Sequence, residues 1–302
     1  MKALEIKNLV KTYWKNKVLK NIDLSIEAWD FYALLWKNWA WKTTLISIVT
    51  DLVYKDSWKV KVFGINTDKN FSKAKKHIWV VPQEFNFNIF DKVINIPVYQ
   101  AGYYGIPKDV ALERTEKLLK ELWLWEKRFS EARQLSWGMK RRLMIARALV
   151  HNPDFLILDE PTAWVDIELR ASTWKFIKKL NKSWTTILLT THYLEEAEAL
   201  CNKIAIMNNW HIVEDTSTKR LLSKLDEEII ILNTREELNE IPDDIKKEYK
   251  AKLISKTEIE ISLKKLHTIN KLIDELDKEK IIISSFRNKS SRLEQLFTNI
   301  IK

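Results

Sequence analysis

Residues 35–45 form a stretch whose residue types and spacing suit the binding of phosphate. They read Leu-Trp-Lys-Asn-Trp-Ala-Trp-Lys-Thr-Thr-Leu and lie between a segment typical of a strand and a segment typical of a helix. A phosphate-binding loop in this context has glycine, four residues, then Gly-Lys-Ser/Thr, and its backbone N–H groups, lysine and hydroxyl hold the phosphates and a metal ion. Lys42 and Thr43 match the end of this pattern. The whole pattern matches if positions 36, 39 and 41 are read as glycine.

Tryptophan occupies all three of those positions, where its side chain would fill an anion pocket. The backbone of such a loop adopts positive φ angles and approaches the phosphates closely, which glycine allows and a side chain of roughly 150–250 Å² does not. The chain contains 14 Trp and 4 Gly among its 302 residues, whereas glycine averages about 7% of protein sequence. Glycine is therefore unusually rare in this chain, and tryptophan is unusually common.

Other tryptophans also lie where the neighbouring residues favour glycine. Trp210 follows two asparagines between alternating apolar runs, which is the position of a hairpin glycine. Trp123 and Trp184 each follow a helical segment, as a cap glycine does, and Trp29 and Trp58 precede strands in turn-like sequence. We hypothesise that most tryptophans in this chain are glycines, encoded by UGA in an organism that reads this codon as glycine. The alternative is a genuinely tryptophan-rich protein.

Four further polar residues follow apolar strands and could serve phosphoryl transfer. Asp159 and Glu160 end the apolar run FLIL, Gln83 follows an earlier strand, and His192 follows Thr-Thr after a later one. In-line phosphoryl transfer needs positioning and charge neutralisation more than covalent chemistry, and carboxylate and imidazole side chains are groups that can move a proton. The alternatives are a solvated pair of carboxylates at a strand end and a structural histidine.

These motifs, in this order, resemble the nucleotide-binding subunit of an ABC transporter. Two more belong to the set: residues 135–139, which read L-S-G-G-M with glycine at 137, and residues 163–166, which read A-G-V-D with glycine at 164. The resemblance covers residues 1 to about 216 continuously. The stretches VPQEFNFN, QAGYYG, MKRRLMIARAL, DIELR and TTHYLEEAE look like the ATP-binding component of ABC-2 type exporters, the drug- and polysaccharide-efflux group. In that branch Trp125 and Trp174 look like authentic tryptophans, and the other twelve fall at glycine positions.

The resemblance implies ATP hydrolysis, with ATP and Mg²⁺ as cofactors. Glu160 is expected to be the general base, and His192 to contact the γ-phosphate. Mg²⁺ is expected to be held by Thr43, Gln83 and, through water, Asp159, with Gln83 also sensing the γ-phosphate. Tyr13 is expected to stack on adenine and Lys42 to reach the β- and γ-phosphates. The implied ATP-binding residues are Tyr13, Trp36, Lys37, Asn38, Trp39, Ala40, Trp41, Lys42, Thr43 and Thr44.

The resemblance also implies partners. A signature segment is expected to face the ATP of an opposite subunit, and it consists of Leu135, Ser136, Trp137 and Gly138. Asp166 is expected to pack near that interface, so a homodimer or a pair of related cassettes is implied. The expected partner is a separate ABC-2 type transmembrane permease, and no direct contact with nucleic acid is expected. The expected location is cytoplasmic, peripheral on the inner face of the cell membrane.

The elements that must position these residues read as an α/β fold. Apolar strands alternate with amphipathic stretches, which predicts a parallel sheet with crossover helices. Strands are predicted at 31–35, 59–63, 78–81, 155–158 and 186–189. The resemblance implies a P-loop ABC nucleotide-binding domain over residues 1–216, with a RecA-like parallel core, an antiparallel β subdomain and a helical subdomain at about 87–148.

The pattern changes after residue 216, and residues 217–302 are predicted to form a small α+β accessory domain. Strands are predicted at 228–232, 258–263 and 280–286, and helices at 266–276 and 291–300. Dimer contact, regulation and a purely structural appendage all stay open for this domain.

Charge, cysteine content and apolar runs limit the classes of protein to which this chain can belong. The net charge of +10 fits either a solvated lysine-rich surface or an anionic partner. The single cysteine, Cys201, excludes an internal disulfide and suits a reducing compartment. The first residues lack the apolar stretch of a signal peptide, and no apolar run approaches the roughly 18 residues of a membrane span.

Two other functions compete with the transporter interpretation. A soluble ABC ATPase acting on ribosomes or nucleic acid usually has two cassettes or a long coiled-coil insertion, whereas this chain has one phosphate loop and no heptad insertion between Gln83 and Ser136. A regulatory nucleotide binder without hydrolysis is disfavoured by Glu160 and His192.

Overall fold

The structure, a computed structural model, describes residues 1–36, 40–54, 56, 59–163, 165–264 and 267–300. The side chains of Ala40, Trp41 and Asn299 are not among the described atoms. The chain divides into two compact units, Met1–Thr216 and Ser217–Lys302.

Strands alternate with helices along much of the chain. The strands are β1 (Lys2–Tyr13), β2 (Asn16–Glu27), β3 (Phe31–Trp36), β4 (Val60–Val62), β5 (Ile65–Asn66), β6 (Ile78–Val81), β7 (Phe155–Asp159), β8 (Thr186–Thr190), β9 (Lys203–Asn208), β10 (His211–Ser217), β11 (Glu227–Thr234), β12 (Lys252–Ser255), β13 (Glu258–Lys264) and β14 (Ile283–Asn288). The helices are α1 (Ala40–Val49), α2 (Thr67–Lys75), α3 (Asn95–Tyr103), α4 (Lys108–Glu121), α5 (Trp137–Leu149), α6 (Ile167–Lys182), α7 (Leu194–Leu200), α8 (Thr218–Leu222), α9 (Asp243–Glu248), α10 (Ile269–Lys278) and α11 (Arg292–Ile300).

A six-stranded sheet forms the centre of the first unit, in the order β10-β9-β3-β8-β7-β6. Strands β9, β3, β8, β7 and β6 run parallel. The near-continuous apolar sequences of β3, β7 and β8 are buried along almost their whole length, as expected for strands covered on both faces. Leu158 pairs with Leu189 and Asp159 with Thr190, so β7 and β8 end at the same level.

A second, four-stranded antiparallel sheet has the order β2-β1-β4-β5. Alternate residues of its long strands are buried, so one face of the sheet joins a core that also contains residues of β3 and α1. Leu4 and Ile26 contribute from the antiparallel sheet, and Leu34 and Leu45 from β3 and α1. The shared core fixes β3 and α1 against the antiparallel sheet.

The stretch between β6 and β7 is helical and carries α3, α4, α5 and two short 3₁₀ turns. Helix α5 begins after Ser136, whose hydroxyl accepts a hydrogen bond from the backbone N–H of Met139 at 3.3 Å. Helix α6 begins in the same way after Asp166, whose carboxylate accepts from the N–H of Leu169 at 2.8 Å. Both caps satisfy N–H groups that the first helical turn leaves free.

The second unit is built on an antiparallel sheet in the order β12-β13-β11-β14. Apolar residues of β11 and β13 pack with those of α9 and α10 into a separate core, which includes Ile230, Ile261, Tyr249 and Leu272. Residue Lys280 has a φ of +59° and closes α10, so β14 begins at Ile283 rather than at residue 280.

Among the described residues, five tryptophans have the left-handed backbone conformation that favours glycine. The φ angles lie between +55° and +72°, and the residues are Trp14, Trp29, Trp123, Trp184 and Trp210. A bulky residue at positive φ is a conformational outlier. Trp14 is also fully exposed, and the side chains of Trp29, Trp123 and Trp184 are more than half exposed. Their indoles therefore contribute little buried surface to offset the backbone strain.

Trp125 and Trp174 behave differently, and neither has a positive φ. The indole Nε1–H of Trp174 donates to Oε1 of the buried Glu196 at 2.9 Å. The guanidinium of Arg128 lies 4.4 Å from the centre of the Trp125 ring. Both side chains are half-buried, as tryptophans with a packing role are.

The α/β class predicted from the sequence is confirmed, with a mixed arrangement of one parallel and one antiparallel sheet in the first unit. Within the described part of the chain, no helix is long and apolar enough to span a membrane.

Candidate functional site

Polar side chains gather where the parallel strands end at their carboxyl edge. Lys42 lies in the first turns of α1 after β3, Gln83 follows β6, Asp159 and Glu160 end β7, and His192 follows β8. Ligands of open α/β sheets bind outside this edge. The structure therefore brings together the residues that the sequence placed in separate motifs.

The ammonium of Lys42 lies between the two carboxylates at the end of β7. Its Nζ is 2.7 Å from Asp159 Oδ1 and 3.1 Å from Glu160 Oε1. The side chains of Lys42 and Glu160 are each 1% exposed, so these charges neutralise one another away from bulk water. A more highly charged anion entering this edge would compete with the carboxylates for Lys42.

Glu160 is the residue on which the other side chains converge. Its Oε2 accepts a hydrogen bond from Gln83 Nε2 at 3.3 Å and lies 3.3 Å from His192 Nδ1. Its backbone N–H donates to the carbonyl of Thr190 at 2.8 Å. The φ of Glu160 is +50°, a conformation that a non-glycine residue adopts only where its surroundings enforce it.

Asp159 is held by the neighbouring strand. The hydroxyl of Thr190 donates to Asp159 Oδ1 at 2.6 Å. Asp159 also lines a cavity of about 420 Å³ together with the exposed Thr43, while Thr44 is buried. A carboxylate and a hydroxyl facing one cavity are hard oxygen ligands of the kind that Mg²⁺ takes, so the chemistry of Asp159 and Thr43 suits that ion. The third predicted ligand, Gln83, lines a different cavity together with Glu160.

Several predicted ATP-binding residues lie outside the described atoms. These are Lys37, Asn38 and Trp39, together with the side chains of Ala40 and Trp41. Trp36 is 6% exposed, and its ring centre is 5.1 Å from Lys42 Nζ. Tyr13, at the end of β1, is 40% exposed, and Lys11 Nζ lies 5.1 Å from the centre of its ring.

The predicted signature segment begins α5. Leu135 is buried, Ser136 caps the helix, and Gly138 packs so closely on α6 that an added Cβ would lie 2.7 Å from Leu169 Cδ1. The indole of Trp137 is half exposed, and its centre is 4.5 Å from that of Phe85. Asp166 caps α6, and residue 164 beside it is not described.

Two buried charged residues near this edge were not singled out from the sequence. Arg141 of α5 is 3% exposed, and its guanidinium donates to the backbone carbonyls of Gln83 and Glu160. Glu196 of α7 is fully buried and accepts hydrogen bonds from Thr162 and Trp174. Burial raises the pKa of Glu196 above its ordinary value. A charged residue within a run of buried apolar residues, as in MKRRLMIARAL, is the sequence signal that could have identified Arg141.

Comparison with known proteins places this arrangement in one family. The family model described as ABC transporter matches residues 19–163. Over 310 aligned residues the chain is 30% identical to the linearmycin resistance ATP-binding protein LnrL of Bacillus subtilis, covering 98% of this chain and 97% of the relative. It is 35% identical to the Nod factor export ATP-binding protein I of Cupriavidus metallidurans over 206 residues, 68% of each chain.

The solved structures agree with this fold. The structure of cbiO1 from Clostridium perfringens, described as part of the ABC transporter complex cbiONQ, superposes with a TM-score of 0.67. The sequences are 24% identical, and the match covers 74% of this chain and 91% of that one.

Proposed function

Since the chain belongs to the ATP-binding proteins of the ABC transporter family, which hydrolyse ATP, we propose that it drives export through a separate transmembrane permease of the ABC-2 type. One observation carries the export assignment: the relatives that match most of the chain are named for linearmycin resistance and for Nod factor export. The match to the resistance protein extends through the second unit as well.

We propose these roles for the residues at the carboxyl edge of the sheet. Lys42 exchanges its carboxylate partners for the β- and γ-phosphates of ATP, and the released Glu160 orients the attacking water as general base. A positioned base contributes about 10²–10⁴-fold to the rate. Gln83 and His192 contact Glu160, so they lie where they could respond to the γ-phosphate.

Mg²⁺ is proposed to be held by Thr43, Gln83 and, through water, Asp159. When bound, the ion neutralises charge on the transferred phosphoryl group. The protein's own contribution is to fix the oxygen ligands, and the hydrogen bond from Thr190 to Asp159 does this on one side.

The working unit is proposed to be a dimer located in the cytoplasm on the inner face of the membrane. Ser136 and the free N–H groups at the start of α5 form an anion site of the kind that helix N-termini provide. We assign this site to the ATP bound by the opposite subunit, with Tyr13 stacking on adenine in its own site and Asp166 near the interface.

We further propose that twelve of the tryptophans are glycines in the natural protein, because the organism reads UGA as glycine. Five of them have positive φ angles, whereas neither of the two tryptophans assigned as authentic does. Reading all twelve as glycine gives a phosphate loop with a full glycine pattern. The positions are Trp14, Trp29, Trp36, Trp39, Trp41, Trp58, Trp79, Trp123, Trp137, Trp164, Trp184 and Trp210.

The codons test this recoding directly, and UGG at positions 36, 39 and 41 would refute it. Peptide mass spectrometry of the protein from its own organism gives a second, independent readout. The chain with glycine at all twelve positions (the glycine form) is expected to bind ATP. The literal chain is expected to bind none, since overpacking costs about 1–3 kcal/mol per site and folded proteins are stable by about 5–15 kcal/mol.

The hydrolytic role is tested with Glu160→Gln in the glycine form. We expect this variant to bind ATP, to lose turnover and to accumulate as an ATP-bound dimer in size-exclusion chromatography. Turnover equal to that of the unsubstituted protein would remove Glu160 from its assigned role.

Export is tested by co-purification with an ABC-2 type permease, which is to be sought among the genes beside this one. The ATPase rate should rise when that permease is present in lipid vesicles. Stimulation by ribosomes or nucleic acid, with no response to the permease, would favour the soluble ABC ATPase alternative.

A further inference from the structure

Arg141 lies in α5, one turn after the signature segment, and faces the interior. Its side chain is among the most buried charged groups of the described chain, at 3% exposure. Burial lowers the pKa of the guanidinium to about 10, partly opposed by the nearby charges of Asp159, Glu160 and Glu196. The group therefore remains a cation at neutral pH, and its placement must be compensated by hydrogen bonds.

Backbone carbonyls of two different loops supply that compensation. In the loop after β6, Nη1 donates to the carbonyls of Pro82 and, at 3.2 Å, Gln83. At the end of β7 and in the turn that follows, Nη2 donates to the carbonyls of Asp159 and, at 2.7 Å, Glu160. Nε donates to the carbonyl of Pro161 at 3.2 Å.

The guanidinium suits this arrangement because it presents five N–H donors in a fixed planar fan. Carbonyl oxygens directed at one point repel one another, so a cation there determines their spacing. Three of the five carbonyls belong to consecutive residues around Glu160, whose φ is +50°. Arg141 thus holds a strained turn in the conformation that directs the Glu160 carboxylate towards Lys42 and Gln83.

The other two carbonyls tie the loop of Gln83 to the same group. Gln83 and Glu160 follow neighbouring parallel strands, and their side chains are in hydrogen-bond contact at 3.3 Å. A displacement of α5 would move the guanidinium and, with it, both backbone segments. Arg141 therefore connects three segments: the helix that Ser136 caps, the loop of Gln83 and the turn of Glu160.

We propose that Arg141 is a positioning residue that fixes Glu160 and Gln83 relative to each other and couples both to the position of the signature helix. This inference rests on the roles proposed above for Glu160 and Gln83. Arg141 acts through backbone carbonyls, so its loss should impair the chemical step while nucleotide binding persists.

Arg142 provides a matched control on the same helix. It is also buried, but its guanidinium donates to the hydroxyl of Ser172 at 2.6 Å and the carbonyl of Leu122 at 3.4 Å, both away from the two loops. Arg141→Met and Arg142→Met each remove a buried cation from α5 of the glycine form. A general loss of stability would therefore be common to both, and thermal unfolding measures it.

Steady-state ATPase kinetics and equilibrium binding of a fluorescent ATP analogue separate the outcomes. We expect Arg141→Met to lower kcat by about 10²-fold, the loss associated with roughly 1 Å of misplacement, with the nucleotide Kd changed less than about threefold. Arg142→Met should leave kcat within about threefold. Arg141→Lys keeps a cation with fewer, less directed donors, so its kcat should lie between those of the parent and Arg141→Met. If Arg141→Met fails to fold, the kcat of Arg141→Lys tests the proposal instead, and a kcat equal to that of the parent would overturn it.

A double-mutant cycle with Glu160→Gln gives a readout that a merely structural role would not move. If Arg141 acts by positioning Glu160, then Arg141→Met should lower the residual rate of Glu160→Gln by less than about threefold. Multiplicative losses, or equal kcat losses in the two Met variants, would overturn the proposal. Equal turnover of Glu160→Gln and its parent would instead refute the role of Glu160, whatever Arg141 does.

Discussion

Thr190→Val tests how β8 holds Asp159, the proposed Mg²⁺ residue at the end of β7. Thr190 is fully buried on β8, and its hydroxyl donates to Asp159 Oδ1 at 2.6 Å. The same oxygen lies 2.7 Å from Lys42 Nζ. In the proposed exchange of Lys42 to the phosphates, Asp159 is expected to retain the hydrogen bond from Thr190. Valine matches the shape of threonine and removes that donor.

The expected magnitude follows from the charge of the acceptor. A hydrogen bond to a charged group contributes about 1.5–3 kcal/mol, and each 1.4 kcal/mol corresponds to about a tenfold change in an equilibrium constant. Loss of a partner that orients a metal ligand typically costs about 10–100-fold in metal affinity. We therefore expect Thr190→Val to raise the free Mg²⁺ concentration for half-maximal ATPase activity by about 10–100-fold. The kcat at saturating Mg²⁺ should stay within about threefold.

The assay is an ATPase titration with free Mg²⁺ at fixed ATP, performed on the glycine form. Thr186→Val is the matched control, because Thr186 is equally buried at the opposite end of β8 and its hydroxyl oxygen accepts from the backbone N–H of Trp29 at 2.9 Å. This control should lower stability and leave the Mg²⁺ requirement unchanged. An unchanged Mg²⁺ requirement in Thr190→Val, or an equal shift in both variants, would refute the reasoning.

Two further predictions concern stability. Burial raises the pKa of Glu196 above the ordinary carboxyl value of 4.5, so ionisation of Glu196 weakens the folded state increasingly as the pH rises above that value. The variant Glu196→Gln should therefore gain free energy of unfolding relative to the parent from pH 4.5 upward, as measured by urea titration. A stability difference between the two proteins that shrinks with rising pH would contradict this. Trp174→Phe removes the indole donor to Glu196 and should lower the free energy of unfolding by about 1–3 kcal/mol. Restoring tryptophan at position 184 of the glycine form, where φ is +71°, should also lower it, by about 1–2 kcal/mol, and a gain in stability there would count against a glycine at that position.

The central strands could be predicted from the sequence because burial on both faces requires continuous apolar runs. The strand predicted at 78–81 is observed at Ile78–Val81, and the strands predicted at 155–158 and 186–189 each extend one residue further. The additional residues, Asp159 and Thr190, are polar and form a hydrogen bond to each other. The apolar pattern of these strands therefore ends where the functional carboxyl edge of the sheet begins.

Elements with little buried surface were harder to predict. Strand β12 is exposed throughout, and α9 has six residues, so neither has an apolar pattern long enough to indicate a period. The strand predicted at 280–286 begins three residues later because Lys280 and Ile281 close α10 through a hydrogen bond from Ile281 N to the carbonyl of Leu276. Local turn geometry, rather than hydrophobicity, sets that boundary.

The sequence identified side chains that meet at the site but not the group that holds their backbones. The side chains that meet belong to motifs whose order resembles that of one family, and this resemblance predicts that they converge. They are Lys42, Gln83, Glu160 and His192. Arg141 interacts with five carbonyls, and a carbonyl carries no residue identity, so no sequence pattern records this contact. The apolar residues around it in MKRRLMIARAL indicate that Arg141 is buried but not which groups it contacts.

The tryptophan positions connect two lines of reasoning with separate origins. Neighbouring residues favoured glycine at Trp29, Trp123, Trp184 and Trp210 through hairpin, cap and turn chemistry, with no reference to a backbone angle. The structure gives each of the four a φ between +55° and +72°. Packing cannot account for this, since three of the four side chains are largely exposed. The main chain therefore follows turns that glycine permits. At these four positions the surrounding fold, rather than the tryptophan side chain, determines the backbone conformation.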